Sequence, residues 1–427
     1  MGCSIVVIGE SVERPEVEFL SYFRSSRLLK VGFAFNMLYY IIVVLVFVML
    51  NWNGQLSTTV YSYDWIVFYE AGHMFQISPG EIYTVNPNGL PYRYFPAFAM
   101  FMSLLQWMPL EIAYILNVSL MMIVNWAILW TAFHVCLSSG LATHTKNFEK
   151  TLLFVYIAPQ HIVNIILGQI SQIVILLVLS AALLLQKSQE VTFKKYLLVG
   201  LLIGLASNLK PFILLFIPFL VPVYRSSRLS FKVSIHSILG VTLGVLVALV
   251  PNLIYFAFFP EAIGEFIQLN FVDTLDYHHS TSITRLLSAL IPIFQDPILK
   301  SVAMIVIGGS LLVISYRRFI VTENSEKKYV QYFAEMAFLL LLVYPDSWFL
   351  FLAIWYTLLG PSILILYKEN ISQSREEKLI DTLWSGANNL LAFFTIGVVL
   401  HYLVLGFDPV IPLWLVVLYI LYQKLLN

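Results

Sequence analysis

Charged side chains are scarce in this chain. Asp, Glu, Lys and Arg together make up 11% of its 427 residues, whereas hydrophobic side chains make up 59%. A soluble globular domain carries about 25% charged residues, and a soluble core of this length could not bury so much apolar surface. The solvent of this chain must therefore be a lipid bilayer.

Other scarcities exclude further classes of protein. The two cysteines, Cys3 and Cys136, are too few for a disulfide framework. The formal net charge is zero, so the chain has no electrostatic basis for binding nucleic acid. It also lacks a P-loop, a nucleotide-binding glycine fingerprint and a GxSxG elbow. The chemistry of the chain must therefore be sought outside these motifs.

Apolar runs that are long enough to cross a bilayer recur along the whole chain. No internal repeat and no low-complexity tract interrupts them. The sequence therefore predicts an all-α integral membrane fold, with residues 1–427 as one polytopic domain. We predict about twelve transmembrane helices, near residues 31–51, 111–138, 150–167, 169–186, 195–209, 211–224, 231–257, 298–316, 329–344, 347–367, 387–405 and 411–427.

The basic residues predict the orientation, because lysine and arginine concentrate in the cytoplasmic loops of membrane proteins. With residues 1–30 cytoplasmic, 20 of the 24 basic residues fall on that side. Those that fall outside it are Arg93, Lys210, Arg285 and Lys300. This segregation requires that residues 95–108 do not cross, so we expect a re-entrant or surface-lying segment there. Both termini are then cytoplasmic. We expect the protein in the cell membrane or, in a eukaryote, in the membrane of the endoplasmic reticulum.

Two extracytoplasmic loops are long, residues 52–110 and residues 258–297. In the first loop, YDWIVFYEAGHMFQISPG predicts a short surface helix from about Asp64 to Ile77, ended by Pro79 and Gly80. Its aromatic rings suit the headgroup layer. Asp64 then has two interpretations. It is either a carboxylate that complements the helix dipole, contributing about 0.3–1 kcal/mol, or a functional group that faces a cavity between the spans.

Few other polar side chains lie on the predicted outer side. They are Arg93, Gln169, Lys210, His278, His279, Arg285 and Asp346. Charged groups within the bilayer usually face a cavity or a partner, although Lys210 could also extend from a helix end to the interface. The two histidines lie near Asp273 and Asp276, but without any recognised metal-ligand spacing. A metal site there is the weaker interpretation, and we expect no metal and no other cofactor.

Such an outer cluster could transfer a sugar. The outer surface of a membrane has neither nucleotide sugars nor ATP, so an activated donor must already be in the lipid. Transfer from a lipid phosphate needs a base that takes the proton of the acceptor hydroxyl and cationic groups that stabilise the departing phosphate. Asp64 could act as the base. The candidates for holding the phosphate are Arg93, Lys210, His278, His279 and Arg285.

Several segments, in order along the chain, resemble glycosyltransferase family 87. They are YDWIVFYEAG, SPGEIY and YRYFPAFAMFMSLL in the first outer loop, then LGQISQIVILL, NLKPF and YPDSWF. This is a family of GT-C glycosyltransferases that use polyprenol-phosphate mannose, and it includes mycobacterial phosphatidylinositol-mannoside mannosyltransferases. The segment HHSTSITRLL resembles the family's Asn-x-Ser…Arg element, with His where Asn is usual. The first loop also resembles the first mannosyltransferase of GPI-anchor assembly, except that Ser62 stands where that enzyme usually has a second carboxylate.

The resemblance implies a GT-C fold and inversion at the anomeric carbon, without a metal. It implies Asp64 as the catalytic base, and the matched segments imply substrate contacts at Tyr69, Tyr94, Gln169 and Asp346. The expected partners are a polyprenyl-phosphate sugar donor, with mannose as the sugar, a glycolipid or lipid-linked glycan acceptor, and membrane lipids. Arabinofuranose and glucose remain alternatives to mannose.

Two other functions fit parts of the same sequence. A transporter or lipid flippase would also bury sparse charges in twelve spans, but such folds often have inverted repeats and polar groups at mid-membrane. No matching halves are visible here, and the polar groups gather on one side. A structural subunit without catalysis would leave the outer carboxylate and the outer basic residues unexplained.

Overall fold

A computed structural model describes residues 19–55, 61–139, 146–187, 191–225, 231–272, 282–322 and 328–344, with a few single residues beyond them. Within these ranges the chain is mainly α-helical, so the predicted helical membrane fold is confirmed at this level. The GT-C arrangement and the number of spans stay predictions. The helices are α1 (Phe19–Ser25), α2 (Arg27–Trp52), α3 (Tyr63–Ile77), α4 (Pro96–Ser103), α5 (Leu110–Ser138), α6 (Lys146–Ile157), α7 (Pro159–Leu167), α8 (Ser171–Lys187), α9 (Phe193–Leu209), α10 (Ile235–Phe258), α11 (Glu261–Ile267), α12 (Ile283–Leu290), α13 (Pro297–Val321) and α14 (Lys328–Val343).

Five helical segments of the described part are long and apolar enough to cross a membrane. Their outward faces carry large aliphatic side chains such as Leu45, Ile123 and Leu246, as expected where the surrounding solvent is hydrocarbon. Each coincides with a predicted span, whereas the spans predicted at 347–367, 387–405 and 411–427 lie mostly outside the described residues. The five segments are Arg27–Trp52, Leu110–Ser138, Phe148–Leu167, Ile235–Phe258 and Pro297–Val321.

The described part of residues 52–110 contains two short α-helices that pack against each other. α3 runs from Tyr63 to Ile77, as its pattern predicts, and a 3-10 helix follows from Pro79. Gly72 lets α3 lie against α4, since a Cβ there would stand 2.6 Å from the carbonyl carbon of Met102. α4 has 8 residues, or about 12 Å of helix, and a bilayer core is about 30 Å thick. This helix is too short to cross, which agrees with the prediction that residues 95–108 form a re-entrant or surface-lying segment.

The segment predicted as a span at 211–224 has a different structure. Pro211–Phe219 is a 3-10 helix of 9 residues that contains Pro218, and a proline inside a helix removes one backbone hydrogen bond. The chain then turns back through an antiparallel hairpin of β1 (Val223–Arg225) and β2 (Phe231–Val233). The prediction of an uninterrupted α-helical span here is wrong, and the described fold contains this small hairpin in addition to helices.

The span predicted at 150–167 is broken in its middle. α7 begins at Pro159, which has no N–H to donate to the carbonyl of Val155 in α6. The Nε2 atom of His161 lies 3.0 Å from that carbonyl oxygen and takes the place of the missing donor. Side chains therefore satisfy backbone groups that the proline frees within the membrane. The carbonyl of Tyr156, next along the chain, accepts hydrogen bonds from Asn36 and Asn125.

This role of His161 makes a testable prediction. His161→Phe keeps a ring at the site but removes the donor, and an unsatisfied buried carbonyl costs about 1–3 kcal/mol. We expect the purified variant to melt at a lower temperature than the wild type. His236→Phe, at an exposed position in the first turn of α10, is the control and should melt as the wild type does. Equal melting of His161→Phe and the wild type would contradict the proposed replacement of the missing donor.

α9 and α10 approach each other along a contact that we call the glycine seam. It consists of Gly200 and Gly204 on α9 and Gly240 and Gly244 on α10. A Cβ on any of them would overlap the neighbouring helix. Small residues four positions apart let helices pack closely in a membrane. On the same face of α9, Asn208 lies four residues beyond Gly204. On the same face of α10, Asn252 lies eight residues beyond Gly244.

A buried ion pair joins α13 and α14. The carboxylate of Glu335 in α14 is fully buried and pairs with Arg318 of α13. A charge inside an apolar helix requires such partners. The same Glu335 oxygen accepts a further hydrogen bond from Ser315 of α13. It also accepts hydrogen bonds from Tyr419 and Gln423, which link both helices to described residues near the C-terminus.

Candidate active site

Asp64 lies in the first turn of α3, and the residue before this helix has an unusual conformation. Ser62 has φ of +56° and is, among the described residues, the only one other than glycine with a positive φ. Such a conformation costs about 1–2 kcal/mol for an L-residue. The Ser62 N–H donates to the carbonyl of Ile166 at 2.8 Å. This bond fixes the start of α3 to the end of α7.

A glycine brings the α7–α8 connection against the same turn of α3. Gly168 has φ of +76°, and a Cβ there would stand 2.5 Å from the Cβ of Trp65. Only glycine allows both this backbone conformation and this approach. The next residue, Gln169, donates its backbone N–H to the carbonyl of Asn164 at 2.7 Å. The Gln169 side chain is thereby held beside Asp64.

Gln169 links the carboxylate to a buried lysine. Its side chain makes a hydrogen bond with Asp64. Its Oε1 atom faces the Nζ of Lys210 at 3.4 Å and the hydroxyl of Tyr94 at 3.5 Å. Because Oε1 faces these two donors, the amide nitrogen is the group that donates to Asp64. The structure therefore brings four of the predicted site residues into one cluster, which we call the Asp64 cluster: Asp64, Tyr94, Gln169 and Lys210.

Lys210 is buried, with 7% of its surface exposed, so it does not extend to the interface as the alternative interpretation required. It follows α9 in an extended conformation and precedes Pro211. Its Nζ donates to the Tyr94 hydroxyl at 2.7 Å and lies 4.5 Å from the centre of that ring. A buried ammonium is stable only with such partners. For Lys210, the hydroxyl of Tyr94 supplies a dipole and the carboxylate of Asp64 supplies an opposite charge.

The environment of Asp64 suits a proton acceptor. The side chain is half-buried, and its Oδ2 atom is fully buried without a hydrogen-bond partner among the described residues. Burial raises the pKa of Asp64, while the charge of Lys210 and the hydrogen bond from Gln169 lower it in part. A carboxylate with a raised pKa takes up a proton more readily than an ordinary surface carboxylate, as a general base must.

Two other predicted residues lie near the Asp64 cluster in sequence but have other roles or positions. Tyr69 donates its hydroxyl to the carbonyl of Met108 at 2.7 Å, so it holds the turn after α4. It is five residues from Asp64, which turns it by about 140° around the helix from that side chain. Arg93 is half-buried and lies between two buried tyrosines, Tyr92 and Tyr94. Arg93 therefore stays a candidate, next to Tyr94 in the chain.

The remaining candidates are not placed by the structure. His278, His279 and Asp346 lie outside the described residues, as do Asp273 and Asp276. The backbone of Arg285 belongs to α12, but its side chain is outside the description. Their roles stay predictions. In the described ranges, no group of three or more His, Cys, Asp or Glu side chains could hold a metal ion.

Two asparagines beside the Asp64 cluster were not predicted from the sequence. Asn252 accepts a hydrogen bond from the N–H of Ala97 at 2.8 Å and donates to the side-chain oxygen of Asn208 at 2.5 Å. Asn208 donates to the carbonyl of Ala248 at 2.9 Å. We call this pair the asparagine ladder. One sequence pattern could have indicated this pair. On each helix, an asparagine continues the four-residue spacing of the glycines.

These observations define a class, a helical integral membrane protein with a carboxylate and a lysine in one polar cluster. Comparison with family models then gives the family: residues 92–345, more than half of the chain, match glycosyltransferase family 87. The chain belongs to this family and is a glycosyltransferase, which confirms the resemblance seen in the sequence. Tyr94, Gln169 and Lys210 lie within the matched residues, and Asp64 precedes them. No curated protein and no solved structure matches the chain.

Proposed function

We propose that this glycosyltransferase moves mannose from a polyprenyl-phosphate donor to a hydroxyl of a glycolipid or lipid-linked acceptor, at the extracytoplasmic face and with inversion. The observation that carries the proposal is the Asp64 cluster. It joins a half-buried aspartate to a buried cation through one glutamine side chain. Transfer from a lipid phosphate needs both a base and a phosphate-binding cation, and this cluster contains both.

Asp64 is the base in this proposal. It takes the proton from the acceptor hydroxyl while the acceptor oxygen attacks the anomeric carbon and the bond from that carbon to the phosphate oxygen breaks. A single displacement of this kind inverts the anomeric configuration. The Gln169 hydrogen bond orients the carboxylate, and the unpartnered Oδ2 atom retains an acceptor position for the proton. Positioned bases of this type contribute about 10²–10⁴-fold to a rate.

Lys210 is the residue that receives the donor phosphate. Its ammonium is surrounded by low-dielectric protein, where a fixed positive charge stabilises a departing phosphate more strongly than it would in water. Arg93, Arg285, His278 and His279 are proposed to complete the phosphate site. Tyr94 orients the Lys210 ammonium through its hydroxyl, and Asp346 is proposed to contact the substrate.

The surface near the Asp64 cluster supports a lipid donor. α4 presents Phe98 to the rings of Phe68 and Tyr94 on its buried side. Other large apolar side chains of this helix and of the residue that follows it are exposed, namely Met100, Phe101 and Leu104. A short helix with one buried face and one exposed apolar face suits the membrane interface. A polyprenyl chain could therefore lie along α4 while its phosphate reaches Lys210.

A panel of donors tests this function. Purified full-length protein in proteoliposomes would be given polyprenyl-phosphate mannose, arabinofuranose or glucose, each with a mixed glycolipid acceptor. We expect the mannose donor to be consumed, with release of polyprenyl phosphate measured by mass spectrometry. Consumption of another donor alone would replace mannose in the proposal. No consumption of any donor would contradict sugar transfer from a polyprenyl phosphate.

Transport is the second candidate, and the break between α6 and α7 is the observation that favours it. Discontinuous helices often bind substrates in transporters. The carbonyls of Val155 and Tyr156 at this break already accept hydrogen bonds from side chains of the protein. The break therefore has a structural explanation and is weak support for transport. Lipid movement across vesicles in the absence of sugar transfer would favour transport over the proposed reaction.

A further inference from the structure

The asparagine ladder lies at the end of the glycine seam. Gly200, Gly204 and Asn208 follow one another at four-residue spacing on α9, and Gly244, Ala248 and Asn252 do so on α10. The close approach at the glycines brings the two asparagine side chains within hydrogen-bond distance, at 2.5 Å. The ladder thus joins the two helices two residues before Lys210.

The ladder also reaches a third helix. The side chain of Asn252 accepts a hydrogen bond from the N–H of Ala97 at 2.8 Å. Ala97 is in the first turn of α4, where the backbone N–H groups have no acceptor within the helix. α10 carries Pro251 directly before Asn252, so its own hydrogen bonding is weakened at this level. The ladder therefore fastens α4 to the α9–α10 pair next to the proline that removes one backbone hydrogen bond from α10.

The two segments that the asparagine ladder joins carry Tyr94 and Lys210, whose side chains are in contact. Tyr94 precedes Ala97 by three residues, and Lys210 follows Asn208 by two. The Tyr94 hydroxyl and the Lys210 Nζ are 2.7 Å apart. A displacement of α4 relative to the end of α9 would separate them, because each stands within three residues of an atom that the ladder holds.

We propose that Asn208 and Asn252 are positioning residues for Lys210, and that they set where its ammonium stands relative to Asp64 and the donor phosphate. The part of this inference that concerns the phosphate rests on the proposed function. The asparagines themselves touch neither Asp64 nor Lys210 in the hydrogen bonds described, so they act through the backbone segments that they join.

Asn252→Leu tests the inference in the full-length protein, since leucine has a similar volume and makes no hydrogen bond. We expect the KM for the donor to rise by about tenfold, the effect of losing one buried hydrogen bond. The acid limb of the rate profile should move to higher pH, because the Lys210 charge no longer stabilises ionised Asp64. The Lys210 amine should also react faster with acetic anhydride, measured by mass spectrometry. Asn208→Ala, which keeps the bond between Ala97 and Asn252, should give smaller changes in the same direction.

Asn125→Leu is the matched control. Asn125 is a fully buried asparagine that donates to Asn36 and to the carbonyl of Tyr156, away from the Asp64 cluster. We expect it to lower the melting temperature without changing donor KM, the acid limb or Lys210 labelling. The inference is overturned if Asn252→Leu and Asn208→Ala behave like this control. The labelling needs no sugar transfer, so it decides the positioning role even where an inactive wild type refutes the proposed function.

Discussion

Asp64→Asn is expected to reduce sugar transfer by about 10²–10⁴-fold, the contribution of a positioned general base. Asparagine keeps the size of the side chain and its contact with Gln169 but cannot take the proton of the acceptor hydroxyl. The loss should appear in kcat, while the KM for the donor changes little, because the phosphate is held by other groups. The measurement is steady-state transfer by purified protein in proteoliposomes.

The control for this variant is on the same helix. Glu70 lies in α3 and is exposed, so Glu70→Gln removes a carboxylate without touching the Asp64 cluster. It should transfer at the wild-type rate, and both variants should insert and purify as the wild type does. Full activity of Asp64→Asn would show that another group takes the proton and would refute the assignment of Asp64 as base.

Lys210→Met should mainly impair use of the donor. Methionine keeps the length of the apolar stem but removes the buried positive charge that faces Asp64 and Tyr94. Truncating one partner of a buried, hydrogen-bonded charge pair costs about 2–5 kcal/mol, so we expect the donor KM to rise by about 30-fold or more. A donor-concentration series at saturating acceptor measures it. The acceptor KM should stay near its wild-type value.

Lys194→Met is the matched control, because Lys194 lies at the opposite end of α9 and is exposed. It should leave both KM values unchanged. An unchanged donor KM in Lys210→Met, with only kcat reduced, would contradict binding of the donor phosphate by Lys210 before the reaction and would leave this lysine a role in the transition state alone.

Much of the Asp64 cluster was predictable from local patterns. The aromatic run that ends at Pro79 predicted α3 and placed Asp64 in its first turn, as observed. Lys210 was a candidate because charged groups are costly next to apolar spans, and the resemblance to the family implied substrate contacts at Gln169 and Tyr94. Their mutual contact was not predictable, because it depends on the αL turn at Gly168 and on the approach of α3 to the α7–α8 connection.

The interruptions of the spans were harder to predict. Hydropathy alone does not distinguish a continuous helix from two halves separated at Pro159, or an α-helix from the 3-10 segment at Pro211–Phe219. The prolines were visible, but the partners that satisfy the freed carbonyls, such as His161, come from the fold. Glu335 lies in a predicted span, and a carboxylate inside an apolar run requires a partner. The sequence therefore indicated that Glu335 has a partner but not which residue it is. Its partner Arg318 lies on another helix.

The pH dependence of kcat/KM tests the central claim most directly, namely that ionised Asp64 takes the proton. Activity should be full above the pKa of Asp64 and fall as the pH drops through it. Because burial raises this pKa, the midpoint of the acid limb should lie above the value of about 3.9 for an unperturbed aspartic acid, and the limb should vanish from the residual activity of Asp64→Asn. The same limb in Asp64→Asn, or a midpoint at the unperturbed value, would contradict the account.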